Sequence, residues 1–413
     1  MFEQFFDCHL RVQELRGGPG GPYLEGFAEE LCKVGYAEIT ARRHIRAAEH
    51  LVYWTGQEGI PVSDLTEKSL EHFEHHLDQC HCPHYGHTHR LDLLNGSRLF
   101  LNHLRNAGII PAPIESADQE PVLLTTFCQW MRQYRGTSDL TLYNYSLSIR
   151  DLLGCFEQDP GRFNAKGLRQ FVLEKSQQCG WAAAKKCTTA LRMFLRFLIA
   201  EGKCVADLGA AIPVLAHWRL TSLPQYLQPE EVERIISSCG PTPVGKRDRA
   251  ILLLLARMGL RAGDIVHLCL GDIDWEGAGI RVSGKGRRQT WLPLTQEIGY
   301  ALVTYLQDSR PQSDTNILFL RCRAPFRAFR SHCAISVIVA RAMKRTGITC
   351  QRRGAAHVLR HSVATSMLRQ GASLRDIADI LRHRSIETTQ IYAKVDVTAL
   401  CQIAQPWPEV QPC

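Results

Sequence analysis

A chain of 413 residues, 45% hydrophobic and 22% charged, is long enough for two or three domains with cores of their own. No apolar run approaches the roughly 18 residues of a membrane span, the N-terminus lacks the basic-then-apolar layout of a secretory signal, and the 16 irregularly spaced cysteines point to reduced thiols in the cytoplasm. The net charge of +8 is uneven: from Thr221 onward 26 Lys+Arg face 16 Asp+Glu, against 23 and 25 before it, as expected if the C-terminal half embraces a polyanion.

Residues 1–110 read as a helical domain, with apolar positions such as Ile39, Leu51, Val52 and Trp54 at helical spacing. Within it Cys80, His81, Cys82, His84, His87 and His89 crowd around Pro83 and Gly86. Cysteine and histidine at close spacing can hold zinc, with Cys80, Cys82, His84 and His87 as candidate ligands. The C-x-C spacing matches no standard finger, so a His-rich polar loop is the preferred reading and no metal or cofactor is expected. A Pro-containing joint, Gly108 to Pro113, followed by the polar run Glu115 to Glu120, opens a second helical segment over 111–220. Its Leu140-Thr141, Leu152, Leu153, Leu168 and Phe171 repeat the spacing of Ile39-Thr40, Leu51, Val52, Leu70 and Phe73 at an offset of about 100 residues. Arg43, Lys185 and Lys186 are candidate DNA contacts on these helices.

A second joint, Ile212 to Pro224, introduces residues 221–413. Pro229-Glu230-Glu231 opens a helix, and the apolar run Ile251 to Leu255 lies in a buried helix ending at Gly259. Gly279 to Val282, Gly284-Lys285-Gly286 and Trp291 to Leu294 read as strand, turn and strand, with Ile317 to Leu320 as a further short strand. Beyond Cys333 the pattern is helical. The expected fold class is mainly α with a small antiparallel sheet in the C-terminal domain.

Along this segment stand, in order, Arg261, Lys285, His357, Arg360, His383 and Tyr392. Attack on a phosphodiester needs an activated nucleophile, neutralised charge and a protonated leaving alkoxide. Arginine answers the second need, because its planar fork pairs two phosphate oxygens and stays charged. His357 and Arg360 lie three apart, as His357 and His361 lie four apart, so each pair shares a helix face. Lys285, between glycines, sits where backbone can approach DNA closely and an ammonium can deliver a proton. Tyr392 supplies a phenol able to form a covalent phosphotyrosyl link.

Four blocks carry a resemblance: Gly259-Leu260-Arg261-Ala262-Gly263-Asp264, Ser283-Gly284-Lys285-Gly286-Arg287, His357 through Thr365, and Leu381 through Tyr392. The segment from about Leu223 to Val397 resembles the catalytic domain of tyrosine recombinases, the phage integrase family, and the middle segment resembles their helical core-binding domain. The resemblance implies a site-specific recombinase that integrates, excises or transposes a mobile element. It implies a clamp on double-stranded DNA, a 3′-phosphotyrosyl intermediate without metal or ATP, and a tetramer at synapsis, with or without other recombinases. Arg287 and Arg288, beside the lysine, join the candidate DNA contacts, and the tail after Tyr392, including Val395 to Ile403, docks on a neighbouring protomer. Such an enzyme works in the cytoplasm, at the nucleoid. Arg382 departs from the pattern, since a glycine commonly precedes the histidine. The extra segment 1–110, which most short members lack, departs as well.

Overall fold

The structure is a computed structural model that describes residues 1–83, 85, 89–112, 120–215, 223–283, 289–349, 354–383, 385–395 and 400–401. The chain divides into two compact units, one built from residues 1–110 and 220–413 and the other from 111–219. Helices dominate both, and among the described residues the strands form one three-stranded antiparallel sheet, so the expected fold class holds. No described helix is long and apolar enough to cross a membrane.

The first stretch of the larger unit contains α1 (His9–Gly17), α2 (Gly21–Lys33), α3 (Glu38–Gln57), α4 (Glu67–His76) and α5 (Arg90–Asn106). Their apolar stripes meet in a core that includes Phe27, Ile45, Leu51, Phe73, Phe100 and Leu104. Helices α3 and α5 lie closely together because Gly96 offers no side chain: a Cβ there would sit 2.5 Å from that of Ala47. Helix α4 starts at a capping box in which Thr66 and Ser69 satisfy each other's backbone N–H groups. That start fixes the phase that brings His76, its last residue, beside Phe73 and Trp54.

The smaller unit comprises α6 (Val122–Arg135), α7 (Asp139–Cys155), α8 (Ala165–Gln178) and α9 (Trp181–Ala200) around Phe127, Leu152, Phe194 and Phe197. Leu168 and Phe171 are buried in α8, as Phe73 is in α4, while Ile39 and Leu140 are both exposed. The repeated apolar positions thus recur on equivalent helix faces.

The remainder of the larger unit holds α10 (Pro229–Ser237), α11 (Pro243–Met258), α12 (Ala262–Val266), β1 (Ile273–Asp274), β2 (Gly279–Ser283), β3 (Gln289–Pro293), α13 (Gln296–Asp308), α14 (Cys333–Arg345), α15 (Ala355–Arg369) and α16 (Leu374–Ile380). Helix α11 begins earlier than the apolar run suggests, because Thr242 caps Gly245 N–H and Pro243 occupies N1. Ile251 to Leu255 are all fully buried at the centre of this core. Strands β2 and β3 pair with Ile280 opposite Leu292. Ile317 to Leu320 makes only isolated bridges rather than the expected strand. Its backbone is bonded instead by Leu318 N to Leu268 O and by the Arg310 guanidinium to the carbonyls of Ile317 and Leu318.

Candidate active site

Three remote stretches of chain converge here, and the first is the end of α11. Gly259 adopts φ +60°, a left-handed cap that ends the helix, and a Cβ there would lie 2.6 Å from Leu381 Cδ2. The chain then turns so that Arg261 becomes the N-cap of α12, with Asp264 accepting from its backbone N–H at 3.3 Å. The Arg261 side chain donates from Nη2 to the carbonyl of Arg382 at 2.9 Å.

Helix α15 is the second stretch. Arg360 is 5% exposed, and its guanidinium donates from Nη1 to Gly259 O and from Nη2 to Leu381 O. Two arginines far apart in sequence therefore grip the same short turn. Burial and the neighbouring Arg261 charge push the Arg360 pKa down to about 10, so an anion here would be strongly favoured. His357, exposed on the same helix face, has its pKa lowered by partial burial and then by the charges of Arg360, His332 and Arg261. His361, one turn further, faces a different partner.

The third stretch is the turn after α16. Arg382 adopts φ +53°, the left-handed region where glycine is the usual residue. Its guanidinium bonds the Asp264 carboxylate, both groups being nearly buried, so an ion pair accompanies the strained backbone. His383 follows, its Nδ1 sharing a 2.8 Å hydrogen bond with the hydroxyl of buried Thr389. Burial first, then the charges of Arg360 and Arg261, push its pKa down to about 4, and it is neutral at pH 7.

Tyr392 lies in the 3₁₀ turn Gln390–Val395, packed among Ala364, Ile377 and Leu381. It is 1% exposed, and its hydroxyl lies 2.8 Å from His361 Nδ1. Burial pushes the phenol pKa up to about 12 against the opposing pull of Arg360, while burial and then His357 and Arg360 push His361 down to about 4. At neutral pH a protonated phenol thus meets an imidazole able to accept its hydrogen.

Arg261, His357, Arg360, His383 and Tyr392 accordingly belong to one neighbourhood. Lys285, Arg287 and Arg288 lie outside the described residues, as do His84, His87 and all of the proposed docking tail beyond Val395 except Leu400 and Cys401. Arg43, Lys185 and Lys186 are exposed; Arg43 faces Asp92 at 3.9 Å and Lys185 stacks over Trp181. Sequence reasoning placed His361 on the correct face but gave it no partner, and it assigned nothing to Thr389 or to the Arg382–Asp264 pair.

Comparison with protein families matches residues 225–398 to the phage integrase family. The chain is 38% identical to the product named integrase/recombinase y4rA in Sinorhizobium fredii, over 98% of both sequences. It is 29% identical to tyrosine recombinase XerC of Oceanobacillus iheyensis, over 67% of this chain and 93% of that one. Among solved structures it shares a fold with the XerH site-specific recombinase, captured on a palindromic difH substrate after cleavage. The TM-score is 0.56 at 20% identity, covering 69% of this chain and 85% of that one.

Proposed function

This chain belongs to the phage integrase family of tyrosine recombinases, and we propose that Tyr392 is the nucleophile with which it cuts and rejoins DNA. As a member it is a site-specific DNA recombinase or integrase. The observation that carries the residue assignment is the convergence of Arg261 and Arg360 on the turn before His383, with the Tyr392 hydroxyl bonded to His361, the residue after Arg360.

The scissile phosphate of double-stranded DNA binds against Arg261 and Arg360, whose planar guanidinium forks match the geometry of phosphate oxygens. His383, held by Thr389, and His357 donate further hydrogen bonds to the phosphate oxygens. The Tyr392 oxygen attacks phosphorus, its proton passing to His361, and the bond from phosphorus to the 5′ oxygen breaks. Lys285 protonates the departing 5′ oxygen. The resulting 3′-phosphotyrosyl link stores the energy of the broken bond, so a second 5′-hydroxyl can reverse the chemistry without ATP.

The finer organisation follows the same reading. Residues 1–110 form an additional helical domain, 111–220 the core-binding domain and 221–413 the catalytic domain. Arg43, Lys185, Lys186, Arg287 and Arg288 steady the duplex, four protomers assemble at paired sites, and the work is done in the cytoplasm at the nucleoid. A nicked duplex site that loses its downstream fragment on cleavage tests the core of this. Wild type should accumulate a covalent protein–DNA adduct and Tyr392→Phe none; an adduct formed equally by the Phe variant would assign the attack elsewhere.

A further inference from the structure

We propose that His50, His76, Cys80 and Cys82 form a closed, four-ligand zinc site that ties the chain after α4 back onto α3. One ligand atom from each residue lies within 4.8 Å of every other. Cys80 Sγ is 3.4 Å from His50 Nε2, and Cys82 Sγ is 3.3 Å from His76 Nε2. With zinc–sulfur bonds of about 2.3 Å and zinc–nitrogen bonds of about 2.0–2.1 Å, the edge of a tetrahedron from sulfur to nitrogen is about 3.5 Å. Those two separations therefore already fit a common central ion.

The donor set selects the metal. Two thiolates and two imidazoles in tetrahedral disposition suit zinc, and hard-oxygen cations find no carboxylate in the group. Four protein ligands leave no open position, which marks a structural role rather than a catalytic one.

The surroundings hold the ligands in place before any ion arrives. His50 is fully buried on α3, stacked on Tyr85 at 4.4 Å and met edge-on by Phe73. Its Nδ1 has no hydrogen-bond partner among the described residues, so packing alone orients the ring and leaves Nε2 directed at Cys80. His76 is clasped by Trp54 and Phe73 at the end of α4. Burial keeps His50 in the neutral form that ligates, and burial together with Cys80 pushes the Cys82 thiol up to about 11. Two thiols crowded in this way become thiolates when a cation shares them, and binding releases both protons to solvent.

In the sequence these cysteines stand beside His84 and His87, which lie outside the described residues. Among the described residues His50 and His76 come within reach of both thiols, from helices packed in the core of residues 1–110. Residues 80–83 themselves form no helix or strand, so a metal bond would supply tertiary anchoring that backbone pairing does not.

Elemental analysis of the full chain, purified under reductant, should find about one zinc per chain. Cobalt substituted for it should show the strong ligand-field and thiolate charge-transfer bands of a tetrahedral site. Cys82→Ser and His76→Ala should each release zinc to a chelator at least about tenfold faster, whereas His81→Ala and His89→Ala should not. Should the ligand variants fail to fold, alkylation of the wild-type protein decides the matter. Zinc should protect Cys80 and Cys82 from the reagent, and chelation should expose them, as read by peptide mass spectrometry. Zinc-free protein without thiolate–cobalt bands, zinc fully retained by Cys80→Ser/Cys82→Ser, or cysteines equally reactive with and without zinc would each overturn the site.

Discussion

The neighbourhood of Tyr392 and the Cys/His cluster beside α4 are built alike, and their electrical needs are opposite. Each gathers side chains from separate stretches of chain, and each holds a histidine down to a pKa of about 4 by burial. Around Tyr392, however, guanidiniums crowd together and wait for an anion, whereas the thiols and imidazoles of the other cluster wait for a cation. The same physical device, burial of polar groups in want of a counter-charge, yields a place for chemistry in one case and a fastening in the other.

The sharpest way to break this contrast is to remove one charge from the first cluster. Arg360→Ala should slow cleavage of the nicked substrate by on the order of 10³-fold or more, as loss of a guanidinium at a phosphoryl-transfer centre does. DNA affinity by gel shift should change only severalfold, because other basic residues hold the duplex, and complete loss of binding would contradict the clamp role. His361→Ala comes next, with cleavage reduced by about 10–10²-fold and duplex binding unaltered. Single-turnover rates across pH separate its loss from misfolding, since the variant should regain rate as rising pH ionises more of the phenol.

Removing ligands from the second cluster should act on stability alone. Cys80→Ser/Cys82→Ser should lower the melting temperature by on the order of 5 °C, yet leave single-turnover cleavage within tenfold of wild type. A loss of cleavage as deep as that of Arg360→Ala would erase the distinction between the two regions. The smallest effect is on acid stability. His361 and His383 have folded pKa values of about 4, below the usual 6.5, so the unfolded chain takes up protons first as pH falls. Stability should be unaffected by them above pH 6.5 and decline between there and about 4 in thermal melts.

What the sequence revealed, and what it hid, follows from the same geometry. Arg261, His357, Arg360, His383 and Tyr392, which the fold gathers into one neighbourhood, were singled out because local motifs surround each one: a glycine cap before Arg261, a helix phase joining His357 to Arg360. The helices and the β2–β3 hairpin were legible for the same reason, since periodicity and turn residues are local signals. Contacts made across long loops left no such trace. Arg382 meets Asp264 over a separation of 118 residues, and His50 meets Cys80 over 30. The spacing around Cys80 drew attention to His84 and His87, which are near in sequence and lie outside the described residues, whereas His50 and His76, on two helices upstream, carry no local signal of their nearness to the cysteines. Ile317 to Leu320 carried the composition of a strand, but its hydrogen bonds are taken by Leu268 and Arg310 rather than by a neighbouring strand.

The packing of Tyr392 has a consequence for when the enzyme is dangerous to a chromosome. The phenol is sealed from water and held on His361, so any attack through it must first give DNA access to a buried oxygen. Access to that buried oxygen, as well as its ionisation, therefore limits which phosphate it can meet.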